Sequence, residues 1–187
     1  KIKYIKKPRL GSGSKGISDV ISKNDLNNEY NNNFFQQKYL GKEYSLEGFV
    51  DGLHFYPWLL SRRLMNNYSC NIIYSLDLDE DKFNSYIENI SKKIKSFLHQ
   101  FSNSKKFFIH LEFIVEEQDP IPRIIDMSAR VGGFGIGGDY LFQVTGINTK
   151  DIVLNTLDDS ITKFDYDSYA YFKSNIIIFI PYKKGIL

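Results

Sequence analysis

A single cysteine, Cys70, excludes an intrachain disulfide and fits a reducing, cytoplasmic setting. Long apolar runs are missing as well. The longest, Ile176 to Ile180, is far too short for a membrane-crossing helix, so no membrane is expected as a partner. Neither charge sign dominates: 24 Lys and Arg stand against 22 Asp and Glu, and a net charge of +2 gives no electrostatic footprint for nucleic acid. The basic opening Lys1, Lys3, Lys6, Lys7 and Arg9 is the one local asymmetry, and a solvated edge strand accounts for it. No Ser-His-Asp or Cys-His arrangement stands out, and Cys70, inside a strand-like run, reads as a small core residue.

What the chain does have is strand alternation. In Lys106 to Val115, Phe107, Ile109, Leu111, Phe113 and Val115 fall on one side, and Phe108, His110, Glu112 and Ile114 on the other. Residues 121–130 read the same way, and the intervening Glu-Glu-Gln-Asp-Pro supplies turn residues for an antiparallel hairpin. A turn centred near Asp119 sets Glu112 opposite Asp126 and His110 opposite Ser128, with Arg130 continuing the polar face. Like charges directly opposite are destabilising, so a cation between the two acids is expected; magnesium suits their hard oxygens and recruits phosphates. The alternative is a solvated face with a slipped register.

The length suits one domain or two small lobes. The chain opens on a strand (residues 1–8) with no leader ahead of it, and is expected to be cut from something longer. A short helix is expected at 17–28, a surface loop at the Asn-rich 24–33, and strands at 33–40, 43–51, 53–63 and 70–77. Residues 80–101 carry Phe83, Ile87, Ile90, Ile94, Phe97, Leu98 and Phe101 at helical spacing, with Lys92, Lys93 and Lys95 opposite. A glycine-rich bend at 132–138, helices at 138–145 and 149–157, and a strand at 169–180 complete the chain.

Gly11, Gly13 and Gly16 match G-x-G-x-x-G, but an Asn-rich stretch follows where a dinucleotide fold needs a βαβ unit and an acid. The Lys15-Gly16 order does not make a Walker loop, and protein-kinase signatures are lacking. A flap whose backbone N–H groups and serines close on phosphates remains, with Lys7 adding a point charge.

These residues carry a resemblance. Lys7-Pro8-Arg9 with Gly11 to Gly16 resembles the glycine-rich loop of the ATP-grasp superfamily, which includes biotin carboxylase and the carbamoyl-phosphate synthetase large chain. Phe35 to Gly48 resembles its hinge and following strand, 109–113 and 125–133 its two metal-binding strands, and Thr145-Gly146 its later turn. The ordered set spans most of residues 4–157.

The resemblance implies an α+β ATP-grasp fold of two lobes, with mostly antiparallel sheets and packed helices. Residues 1–40 would form a small lobe with the phosphate flap, and 41–187 a larger lobe with the metal strands; the family's acceptor domain is absent. By the same resemblance Lys7, Gly11, Ser12, Gly13, Ser14 and Gly16 hold ATP phosphates, Gln37 stands near the adenine amino group, Lys38 and Leu40 offer backbone groups to the purine, and Glu43 holds the ribose. Glu112 and Asp126 resemble the magnesium (or manganese) ligands, and Arg130 and Lys7 the groups that steady the transferred phosphoryl. Asp126 is one methylene shorter than the usual Glu, and Ser128 stands where a metal-binding Asn is common; both weaken the site for a second ion. The implied activity is ATP-dependent ligation through an acyl phosphate, with a small carboxylate as substrate, a homodimer as one assembly and little activity in the isolated chain. A degenerate nucleotide-binding or interaction module and a purely structural domain are the alternatives.

Overall fold

The computed structural model describes residues 3–11, 13–21, 32–76, 81–99, 106–133, 135–157 and 174–178. Among them two sheets form. The smaller has β1 (Tyr4–Pro8) between β2 (Ser18–Asp19) and β3 (Asn33–Gln37), both antiparallel to it. The larger contains β4 (Lys42–Asp51), β5 (His54–Asn66), β6 (Ser69–Leu76), β7 (Lys106–Glu116), β8 (Asp119–Ser128) and β9 (Ile176–Ile178). Its order is β8-β7-β4-β5-β6-β9, and each of these pairings is antiparallel.

Apolar residues occupy both faces of the larger sheet, so it is covered on both sides. Helix α1 (Asp81–Leu98) lays Phe83, Ile90, Ile94 and Leu98 against Tyr44, Leu46, Val50, Leu60, Ile109, Leu111, Phe113 and Val115. Burying a side chain such as Leu111 or Phe113 contributes about 2 kcal/mol. Lys93 ties the helix to β8 by donating to the Pro122 carbonyl at 2.6 Å. On the other face Phe49, Trp58, Leu59 and Ile73 pack with a π-helical turn (Ile136–Tyr140), α2 (Leu141–Thr145) and α3 (Thr149–Leu157). Gly146, in left-handed conformation, ends α2 and sends the chain on to α3.

Several expectations change. Ser18 and Asp19 form a strand against β1, where a helix over 17–28 was expected; the short segment pairs its backbone with Ile5 and Lys6, which local propensity does not register. Residues 22–28 of that helix and most of the Asn-rich loop lie outside the described residues, as do 169–173 and 179–180 of the strand expected at 169–180. Phe97 is 40% exposed, off the helix's buried face. The β7–β8 turn is Glu117-Gln118, ahead of Asp119. Register shifts between Glu112 and Phe113 and between Ile114 and Glu116 then advance β8, and Glu112 still meets Asp126 and His110 still meets Ser128.

Candidate functional site

On the side of the larger sheet away from α1, alternation brings together Glu43, Ser45 and Glu47 of β4, Ser61 and Arg63 of β5, and His110 and Glu112 of β7. The register fixes their neighbours: Glu43 lies opposite Arg63, Ser45 opposite both Ser61 and Glu112, and Glu47 opposite His110. A ladder of alternating charge results. Glu47 Oε1 meets His110 Nδ1, His110 Nε2 lies 3.3 Å from Glu112 Oε1, and one Arg63 nitrogen lies 2.5 Å from Glu112 Oε2 and 2.8 Å from Glu43 Oε1. Ions this deep persist only when each is paired.

Pairing decides the protonation states. Burial opposes the charge on Glu112, but His110 and Arg63 outweigh it and bring its pKa down to about 2. Burial likewise opposes the charge on His110, yet hydrogen bonds to Glu112 and Glu47 lift its pKa to about 9. Glu43 moves up, because burial and the nearby Glu112 charge exceed the pull of Arg63. Burial lowers the pKa of Lys7 against the opposing charges of Asp126, Glu112 and Glu43.

Two cavities meet at this ladder. One, about 730 Å³, runs between the sheets and is lined by Lys7, Ser14, Gln37, Lys38, Leu40, Glu43, Arg63 and Glu112, among others. The other, about 300 Å³, includes Gly13, Ser14, Arg63, Cys70, His110, Glu112, Asp126, Arg130 and Gly133. Ser14, Arg63 and Glu112 belong to both. Cys70 is half-buried, packed against the Phe49, Trp58 and Ile73 cluster as expected of a core residue and also lining the smaller cavity; burial pushes its thiol pKa up.

All the sequence-predicted site residues except Ser12 can be placed. Lys7 crosses from the small sheet and donates to the Ile125 carbonyl at 2.9 Å. The flap turns through Gly13, Ser14 and Gly16, all at positive φ, and a Cβ at Gly16 would sit 2.8 Å from Pro8 Cγ. Gly11 and Gly16 bound the turn without lining either cavity, and Ser12 lies outside the described residues. The Lys38 N–H is donated to the Lys3 carbonyl at 2.8 Å, so its own carbonyl is the backbone group left to offer. Its ammonium pairs with Asp19 at 2.5 Å and lies 3.3 Å from the Tyr68 hydroxyl. Leu40 N–H reaches Glu116 at 3.4 Å, a long contact. Asp126 is exposed and accepts from the Met127 N–H at 3.0 Å, and Arg130 is exposed and donates to the Val131 carbonyl at 2.7 Å. Ser128 is half-buried and lines neither cavity.

The donor set suits magnesium in kind: two carboxylates on one cavity, with room for the waters and phosphates that the ion prefers. Among the described residues no cluster of three or more His, Cys, Asp or Glu is arranged for a metal. The facing acids also find cations within the chain, since Arg63 and His110 both contact Glu112. The charge argument made from sequence is thus met by protein groups without calling on an ion.

Two contributors were not assigned site roles from sequence, although Arg62 and Arg63, at the end of a strand-like run, were open candidates. Arg63 is the hub of the ladder, and Glu47, with its side chain 3% exposed, ends it. The period-two run Glu43, Ser45, Glu47 carried the signal, because three polar residues on one face of an otherwise apolar strand need partners.

The architecture is α+β, two antiparallel sheets with a cleft between them and helices packed on the larger. It is the ATP-grasp fold. An L-amino acid ligase from Bacillus licheniformis superposes with a TM-score of 0.73 at 17% identity over 97% of this chain and 45% of its own. A carboxyaminoimidazole ribonucleotide synthase from Aspergillus clavatus, complexed with ATP, gives 0.69 at 12% identity over 94% of this chain and 45% of its own. An ATP-grasp superfamily protein from Archaeoglobus fulgidus gives 0.61 at 13% identity over 94% of this chain and 48% of its own. The chain thus spans a little under half the length of these structures. No family model and no curated protein matches the sequence.

Proposed function

We propose that the chain is the ATP- and magnesium-binding portion of an ATP-dependent carboxylate ligase, which activates a small carboxylate as an acyl phosphate for attack by an amine or other nucleophile. The observation that carries this reading is the junction of the two cavities at Ser14, Arg63 and Glu112. A nucleotide lying along Gln37 to Glu43 would end its phosphates beside Glu112, Asp126 and Arg130. The fold shared with an enzyme crystallised with ATP supports the assignment of the larger cavity to nucleotide.

In this reading residues 1–40 form the small lobe and 41–187 the larger one. Lys7 places a positive charge at the phosphate end, and the Gly13-Ser14 turn covers the phosphates with backbone N–H groups and excludes water. Glu112 and Asp126 would hold the metal, with Arg63 and His110 orienting Glu112. Magnesium, when bound, supplies charge that offsets the phosphates. Arg130, exposed on the smaller cavity, meets the negative charge that develops as a substrate carboxylate oxygen bonds to the terminal phosphorus and ADP leaves.

A second reading, a nucleotide-binding module without metal chemistry, is favoured by one observation: Glu112 is already balanced by Arg63 and His110. Calorimetric titration separates the two. The ligase reading expects ATP to bind with magnesium, weakly or not at all with chelator, and poorly to Glu112→Ala in either condition. Equal binding with and without magnesium supports the module, and no binding at all removes both.

A further inference from the structure

We propose that Glu47 is a positioning residue that pins the Arg130–Gly133 segment to the strand carrying Glu112; its meaning for catalysis rests on the ligase reading above. The Glu47 side chain is almost wholly buried and lines neither cavity. One of its oxygens meets His110 Nδ1, and the other accepts the Gly132 N–H at 2.9 Å. His110 continues to Glu112 through Nε2. The result is a single link, Gly132 to Glu47 to His110 to Glu112, between the loop that presents Arg130 and the strand that presents the acid.

The segment needs such a tie. Strand β8 ends at Ser128 and the π-helical turn begins at Ile136, so no sheet pairing holds residues 129–133. Gly132 is gripped instead from both sides, with its N–H on Glu47 and its carbonyl accepting from Gly137 N–H at 3.2 Å. The fit is close: a Cβ on Gly132 would lie 2.6 Å from Glu47 Oε1 and 3.0 Å from Cδ. A buried carboxylate is expensive to desolvate, and packing alone would be served by an apolar residue. The Gly132 N–H and His110 Nδ1 each meet one oxygen of the same carboxyl group, so its two acceptor oxygens serve both partners at once.

The test uses the full 187-residue chain and variants on both sides of the contact, Glu47→Ala and Gly132→Ala, with Glu47→Gln as the conservative change. The first readout is tryptic cleavage after Arg130, together with hydrogen exchange at the Gly132 amide, in protein shown to be folded by circular dichroism. Cleavage is expected to speed up about 10-fold in Glu47→Ala and Gly132→Ala, and to stay near wild type in Glu47→Gln, which keeps an acceptor for Gly132. The second is MgATP affinity in a double-mutant cycle. Glu47→Ala should weaken binding about 10-fold in the wild-type background and hardly at all when Arg130→Ala is already present. Unchanged cleavage and exchange in folded Glu47→Ala, or additive losses in the cycle, would overturn the proposal. If wild-type chain fails to bind MgATP, the ligase reading falls and the cleavage result still decides whether Glu47 pins the segment.

Discussion

On one face of the larger sheet Tyr44, Leu46, Leu60, Leu111 and Phe113 pack beneath α1; on the other, one residue along the same strands, Glu43, Glu47, Arg63, His110 and Glu112 stand in alternating charge. The first face is held by area, which is non-directional and tolerates exchange among apolar side chains of similar volume. The second is held by geometry. Removing one of its ions strands a neighbour in a poorly hydrated place, whereas removing an apolar residue leaves only a void. Polar groups that must point at a ligand are therefore best built on the charged face, with the apolar face as rigid backing.

The largest effect that would sharpen this contrast is Arg63→Ala. It leaves Glu43 and Glu112 without their shared cation and should cost about 4 kcal/mol in denaturant unfolding, with nucleotide binding lost as well. Ile90→Ala, in the centre of α1 and fully buried, should cost about 3 kcal/mol while the folded fraction binds nucleotide as before. Loss of binding there would erase the distinction between the faces.

The pH dependence is smaller and has a definite sign. Glu112 has its pKa depressed from 4.5 to about 2, so its contribution is complete above pH 4.5 and lost as pH falls through 2. His110 has its pKa raised from 6.5 to about 9, so its contribution is complete below pH 6.5 and lost as pH rises through 9. Stability should peak between those limits and fall by about 2 kcal/mol on the alkaline side, as read from urea melts across pH. His110→Gln should flatten that alkaline limb. The smallest effect belongs to Lys38→Ala at the cleft rim, where a partly exposed pair with Asp19 contributes about 0.5 kcal/mol or less.

How much of this could be read beforehand differs by element. Alternation in β7 put His110 and Glu112 on one face, and the spacing of Phe83, Ile90, Ile94 and Leu98 marked the buried side of α1. The facing of Glu112 and Asp126 came out as expected although the turn lies earlier, because two register shifts made up the difference. Such shifts leave no local mark in sequence. The choice of Arg63 over Arg62 and the role of Glu47 stayed open for another reason: both depend on how β4 registers against β5 and β7, strands far apart in the chain. The two-residue strand at Ser18-Asp19 exists only through its partner, so its own residues could not announce it.

The most direct test is paramagnetic broadening in an amide NMR spectrum of the chain titrated with ATP and Mn²⁺ in place of Mg²⁺. Broadening is predicted at Gly13, Ser14, Glu112, Asp126 and Gly133, where the cavities meet, with Ile90 and Ile94 on the helix face left sharp. Sharp signals around Glu112 and Asp126 when nucleotide and metal are saturating, or broadening centred on α1, would contradict the account.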